Sequence, residues 1–135
     1  MSEEHRELAR RAVLAWNEAE VDAVLPYLDE SVEWHPPKES MEPGIYRGHE
    51  GVRDYLGRLG QVFTERRIEE VDVTDIDATR VLAGARMLGK SANFGEIDIR
   101  FFWLITFREG KATEVRTFLG REEADEAARV PGTLP

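Results

Sequence analysis

The chain has 135 residues, 41% of them hydrophobic and 33% charged, which is typical of one globular domain with a continuous core. Its formal net charge is −9 and its Lys and Arg residues are scattered, so nucleic acid is not an expected partner. Because it has no cysteine, disulfides, thiolate nucleophiles and cysteine metal sites are excluded. We predict a single domain spanning 1–135, located in the cytoplasm.

The N-terminal segment Met1–Arg6 is charged and leads straight into an amphipathic pattern, so neither an export signal nor a membrane partner is expected. From Glu3 to Ala19, apolar residues recur at three- and four-residue spacing, which predicts a helix. A second, shorter helix is predicted from Asp22 to Leu28, with Pro26 near its first turn.

The segment Ser31–His35 alternates polar and apolar residues until Pro36 and Pro37 interrupt it, which predicts a short edge strand. A loop follows, and a third helix then begins at Gly48. The apolar positions of that helix form one stripe, made of Val52, Tyr55, Leu56, Leu59, Val62 and Phe63.

After Phe63 the apolar period becomes twofold, which predicts four strands at Ile68–Thr74, Arg80–Leu88, Gly95–Arg108 and Lys111–Leu119. Helices followed by hairpin-linked strands indicate the α+β class, with helices on one face of an antiparallel sheet. A short helix over Arg121–Arg129 and a loose tail over 130–135 complete the prediction.

The longest predicted strand has one apolar face and one mixed face. Phe102 and Leu104 lie on the mixed face, among Asp98, Arg100 and Arg108. These two side chains are too hydrophobic for a solvated surface, and we therefore predict a homodimer formed through the sheet.

Four segments in this order resemble the NTF2-like superfamily, in its SnoaL-like and ketosteroid-isomerase-like branch. They are the opening helix leading into Asn17–Asp22, then Tyr27–Pro37, Tyr46–Arg53 and Phe107–Lys111. The resemblance implies a cone, in which three N-terminal helices pack on a strongly curved antiparallel sheet around a deep, mainly apolar cavity. It also implies dimerisation through the sheet, but the fold hosts enzymes and binding proteins alike, so it does not assign an activity.

The resemblance also shows where this chain departs from its relatives. A steroid isomerase needs a carboxylate base and an oxyanion hole of a tyrosine and a protonated aspartic acid. The corresponding positions here are Trp34 or His35 for the base, Ala12 for the tyrosine and Trp103 for the aspartic acid. The acidic position of SnoaL-like cyclases corresponds to Gly120. Known steroid isomerisation is therefore not expected, and transfer of the cyclase chemistry is weakened.

Other polar residues are weaker candidates for the site. Glu33 and Asp98 are alternative acids if they face inward against strand parity. Arg86 or Arg116 is a candidate for holding a ligand carboxylate, and equally for a surface or interface charge. No metal site is predicted, because Glu33, His35, His49 and Glu50 lack the spacing of a zinc motif.

His35 is the candidate general base, because imidazole titrates near neutrality and this one lies beside a proline break. Strand parity turns Trp34 inward and His35 outward, so which of the two faces the pocket stays open. His5 is interpreted as an exposed terminal residue. The predicted pocket consists of Trp16, Trp34, Tyr46, His49, Tyr55, Phe63, Ile99, Phe101 and Trp103.

Three hypotheses follow. The first is an isomerase, cyclase or dehydratase that acts by proton transfer, without a cofactor, on a small apolar or oxygenated molecule. The second is a binding module for such a molecule without chemistry. The third is a protein-interaction domain.

Overall fold

The computed structural model describes residues 2–16, 21–40, 44–91 and 95–130. These form three α-helices, which are α1 (Ser2–Ala15), α2 (Gly48–Val62) and α3 (Arg121–Arg129). Six strands form one sheet: β1 (Leu28–His35), β2 (Tyr46–Arg47), β3 (Phe63–Asp75), β4 (Arg80–Ser91), β5 (Gly95–Arg108) and β6 (Lys111–Phe118). The strand order is β2-β1-β6-β5-β4-β3.

The sheet is mixed, which corrects the prediction of an antiparallel one. β1 runs parallel to β6, whereas the remaining neighbours are antiparallel. The order follows from the connections, because β3 to β6 are successive hairpins. β1 lies between β6 and β2, so it is not the edge strand that was predicted, and β2 forms that edge instead. The structure shows an α+β fold with a curved sheet; the tight winding expected of a cone stays a prediction.

The first two helices pack on one face of the sheet. α1 buries Ala9 and Val13, and α2 buries Val52 and Leu56, which belong to its predicted apolar stripe. Arg10 fixes α1 to the sheet, since its Nη1 donates to the Val71 carbonyl over 3.1 Å. The main apolar core lies between these helices and the inner face of the sheet.

The predicted helix over Asp22–Leu28 is wrong. Two short 3-10 turns, Val21–Ala23 and Leu25–Tyr27, occupy this segment, and Leu28 is already the first residue of β1. Pro26 has no backbone N–H to give to an α-helix, which favours the shorter turns. These turns place Val24 and Leu25 in the core.

The strand β3 begins immediately after α2, five residues before the predicted start at Ile68. Its pairing with β4 shifts register between Phe63 and Glu65, and again between Glu69 and Asp72. Glu70, inside the second shift, has a positive φ of 52°. Such bulges bend a strand and increase its twist, which curves the sheet around the core.

Helix α3 covers the opposite face of the sheet, so the helices are not all N-terminal as predicted. Its Ala124 and Ala128 pack against Leu82, Phe102 and Leu104, in a second apolar cluster. Phe102 and Leu104 are 5% and 2% exposed. These two residues, which motivated the predicted dimer, are therefore covered by the chain itself; the dimer stays a prediction.

Within the described part of the chain, none of the helices is long and apolar enough to cross a membrane. The predicted extension of the first helix over 17–19 and the predicted tail beyond Val130 lie outside the described residues.

Candidate functional site

A cavity lies between the inner face of the sheet and the first two helices. The helices line it with Ala12, Val13, Trp16, Tyr55, Leu56 and Leu59, and the 3-10 segment and β1 with Val24, Tyr27, Leu28 and Trp34. The other strands contribute Ile68, Met87, Phe101, Trp103, Ile105, Phe107, Ala112, Val115 and Thr117. The space in it that the centre of a water molecule can occupy is about 70 Å³.

The cavity wall is almost wholly apolar. Among the described residues that line it, none is an Asp, Glu, His, Lys or Arg, and only Tyr27 and Tyr55 carry an ionisable group. Phe101 and Trp103 stack on each other, with ring centroids 5.8 Å apart and planes 13° apart. This arrangement presents flat aromatic surface, which suits contact with a planar apolar body.

Three polar groups in the wall have no hydrogen-bond partner among the described residues. They are Trp16 Nε1, Trp34 Nε1 and Thr117 Oγ1, each of which is buried. An unpaired buried donor or acceptor costs about 1–3 kcal/mol, and such groups are rare in native proteins. A ligand that offered acceptor oxygens would relieve this cost.

Trp34 and Thr117 belong to the same side of the cavity. Trp34 pairs in register with Val115 of β6, and Thr117 lies two residues further along β6, on the same face as Val115. Trp103 lies directly opposite Thr117 on β5. Trp34 and Thr117 thus place two polar groups on the same side of a mainly apolar wall.

The structure decides between Trp34 and His35. Trp34 is 9% exposed and lines the cavity, whereas His35 is absent from its lining. His35 Nε2 instead lies 3.5 Å from Glu33 Oε1 and 3.8 Å from Glu114 Oε2, on the opposite face of the strand. The alternation of β1 causes this, and it leaves His35 without access to a ligand in the cavity.

Glu33, His35 and Glu114 form a half-buried group on this face. Each offers one atom that could bind a metal ion, and these three atoms lie within 4.8 Å of one another. Glu33 is also ion-paired with Arg47. Part of its negative charge is therefore already neutralised by the protein.

Five of the residues predicted for the pocket line the cavity: Trp16, Trp34, Tyr55, Phe101 and Trp103. The other four, Tyr46, His49, Phe63 and Ile99, lie outside its lining, which corrects the predicted set. That any of them contacts a ligand stays a prediction.

Local contacts explain two of these differences. Tyr46 packs behind Tyr55, with ring centroids 4.7 Å apart, and its hydroxyl accepts from Arg58 Nη2 over 3.2 Å. His49 Nε2 donates to the Leu28 carbonyl over 2.8 Å, which ties α2 to the start of β1. Both side chains support the cavity wall from behind.

Phe63 lies at a strand end, whereas Ile99 lies within β5. Phe63 is the first residue of β3 and pairs with Ser91, the last residue of β4. Ile99 pairs with Met87, which lines the cavity in its place. The correct face was predicted for Ile99, but not how far along the strand the cavity extends.

Arg86, a predicted carboxylate ligand, is engaged on the outer face. Its Nη2 lies 2.6 Å from Asp98 and its Nη1 3.0 Å from Glu70. Hydrogen bonds with Asp98 and Glu70 raise the pKa of the Arg86 guanidinium, and those from Arg86 lower the pKa of both carboxyls. Asp98 is thus excluded as an inward-facing acid.

His5, interpreted as exposed, is half-buried. Its ring stacks on Phe107 at 4.8 Å, with the planes 8° apart. Phe107 lines the cavity, so His5 lies one layer behind the wall. No sequence pattern indicates this contact, because it joins the first helix to β5.

Comparison with solved structures identifies the fold as NTF2-like. An NTF2-like protein from Burkholderia pseudomallei is 17% identical with a TM-score of 0.76, and the match covers 96% of this chain and 100% of that one. A putative polyketide cyclase from Xanthomonas campestris pv. campestris is 20% identical, with a TM-score of 0.77 and coverage of 94% and 98%. TerC, co-crystallised with polyporic acid, is 19% identical, with a TM-score of 0.73 and coverage of 94% and 99%.

A match to a family model assigns the chain to one family within this fold. The SnoaL-like domain matches residues 9–115, which is most of the chain, and the protein therefore belongs to the SnoaL-like family. A search of curated proteins found no match.

Proposed function

We propose that this protein binds a small, mainly apolar, oxygenated organic molecule in its cavity, without a cofactor. The observation that carries the proposal is the aromatic wall with its unpaired Trp16, Trp34 and Thr117 polar groups. Binding sites for small molecules commonly combine such an apolar lining with a few polar groups that fix orientation.

The two indole N–H groups define the kind of oxygen that is recognised. An N–H can only donate, so it pairs with a carbonyl or ether oxygen of the ligand and not with a protonated amine. Thr117 adds a hydroxyl that donates or accepts. An analogue without the oxygen leaves these donors unpaired, and sites of this kind discriminate strongly against such analogues.

A cyclase-type reaction is the second candidate. It is supported by the similarity in fold to a putative polyketide cyclase and by the phenols of Tyr27 and Tyr55 in the wall. A phenol carries an O–H that donates to a ligand oxygen, so these groups suit donation to the ligand rather than removal of a proton from it. The predicted base, His35, lies on the other face of β1.

Mass spectrometry of organic extracts from freshly purified protein tests the binding proposal. Ala12 lines the cavity, so Ala12→Phe fills it, whereas Leu14 is 40% exposed on the same helix and makes Leu14→Phe the matched control. We expect a compound in the wild-type and Leu14→Phe extracts and none from Ala12→Phe. A compound retained equally by Ala12→Phe would contradict binding in this cavity.

The recovered compound then separates binding from catalysis. Incubation with fresh protein returns it unchanged if the protein is a binding module, and converts it if the protein is a cyclase. If conversion occurs, Tyr27→Phe and Tyr55→Phe test the phenols and His35→Gln tests the imidazole. Unchanged turnover in His35→Gln would show that His35 is not the base.

A further inference from the structure

Arg66 does not line the cavity itself but lies at one edge of it, beside Trp16 at the end of α1 and Gly60 in the last turn of α2. Its guanidinium carbon is 4.7 Å from the centre of the Trp16 ring, and its Nε donates to the Trp16 carbonyl over 3.3 Å. A Cβ built on Gly60, in the last turn of α2, would lie 3.5 Å from Arg66 Nη1. Ile68 lies two residues after Arg66 in β3, on the same face of the strand. Both Ile68 and Trp16 line the cavity.

The charge of Arg66 has no carboxylate partner among the described residues. Burial lowers the pKa of its guanidinium, because desolvation disfavours the charged form, and no acidic group offsets this effect. The neighbouring Arg67 points to the other face of the strand and lies 3.0 Å from Glu69. A half-buried cation without a counter-charge is costly to the fold.

Helix capping accounts for only part of this arrangement. The bond to the Trp16 carbonyl satisfies one free acceptor at the end of α1 and uses the Nε–H of Arg66. The two terminal amino groups make no hydrogen bond within the described part of the chain. Two parallel N–H donors in a plane match the two oxygens of a carboxylate.

We propose that the ligand carries a carboxylate, which Arg66 binds through Nη1 and Nη2 at the edge of the cavity. This inference rests on the proposed function, because the apolar body of the same molecule occupies the cavity. The unpaired Nε1 of Trp16 belongs to the ring on which Arg66 stacks, and it supplies another donor at this edge. The ligand class is thus a small organic acid with a flat apolar body.

The test compares two probes of equal shape, 2-naphthoate and 2-naphthamide, by isothermal titration calorimetry at neutral pH. Hydrogen bonds to charged groups are the stronger kind, and we expect the wild type to bind the carboxylate about 10- to 100-fold more tightly than the amide. Arg66→Met keeps an apolar chain against Trp16 but removes the charge, and is expected to bind both probes equally.

Arg67→Met is the matched control, since it removes the same charge from the opposite face of β3 and should keep the preference. Arg66→Lys keeps a charge without the planar fork and should retain a reduced preference; it serves if Arg66→Met fails to fold. Equal wild-type affinity for both probes would overturn this inference and leave the binding proposal standing. Binding of neither would overturn both, and a preference that survives Arg66→Met would show that Arg66 is not the partner.

Discussion

Gly89 permits a very close approach between β3 and β4, and alanine should not be accommodated there. Gly89 pairs with Arg66 across β3 and β4. A Cβ at this position would lie 1.9 Å from the Glu65 carbonyl oxygen and 3.0 Å from the Arg66 Cα. These are backbone atoms, so the strand itself must move by roughly 1 Å or more.

The cost of Gly89→Ala follows from this movement. Breaking about two ladder hydrogen bonds at about 1 kcal/mol each, with added strain, lowers the free energy of unfolding by about 2–4 kcal/mol. At about 2.1 cal/mol/K per residue for a chain of 135 residues, each kcal/mol corresponds to about 3.5 °C. The expected fall in Tm is therefore about 7–14 °C.

Thermal unfolding followed by circular dichroism measures this fall, and Gly57→Ala is its control. Gly57 lies inside α2, and a Cβ at this position would have nothing within 4 Å, so alanine should raise the Tm by about 2–4 °C. A Gly89→Ala protein that unfolds within about 2 °C of the wild type would refute the close approach of β3 and β4.

Thr117→Val removes an unpaired buried hydroxyl without changing shape, so we expect a Tm that is equal or higher and ligand affinity about 3- to 10-fold lower; a lower Tm would refute the unpaired state. Ala124→Glu puts a carboxylate on the face of α3 that packs against the sheet, at a position that is 0% exposed. Because burying this charge is costly, the helix should detach more often and trypsin should cleave it faster. Burial opposes ionisation of Asp77, but hydrogen bonds from Arg80 and nearby backbone N–H groups outweigh it and lower its pKa. The ionised carboxylate therefore stabilises the fold fully above the ordinary pKa of 3.8 and loses this effect as pH falls further; denaturant unfolding of Asp77→Asn should show a weaker loss in acid. Light scattering at micromolar concentration tests the predicted homodimer, and a monomer would exclude it.

Much of the site follows from strand parity. The alternation in β5 predicts that Phe101 and Trp103 share the inner face, and that in β1 predicts Trp34 inward and His35 outward. The structure agrees on both. Parity does not show how far a cavity extends along a strand, and it therefore cannot separate Ile99 from the residues that line the cavity.

Contacts between distant segments were not predictable from one sequence. The parallel pairing of β1 with β6, which brings Thr117 near Trp34, joins segments about eighty residues apart. Arg66 carries no signal either, since a charged residue among Glu65 and Arg67 is typical of a solvated strand. The helix α3 was predicted, but not that it covers Phe102 and Leu104.

The position of the tryptophans gives this protein a built-in optical reporter. The chain has three tryptophans, and all of them, Trp16, Trp34 and Trp103, lie in the cavity wall. Its intrinsic fluorescence therefore comes from indoles that border this single space. A molecule entering the cavity should change the emission of the whole protein, so candidate ligands can be screened without a label.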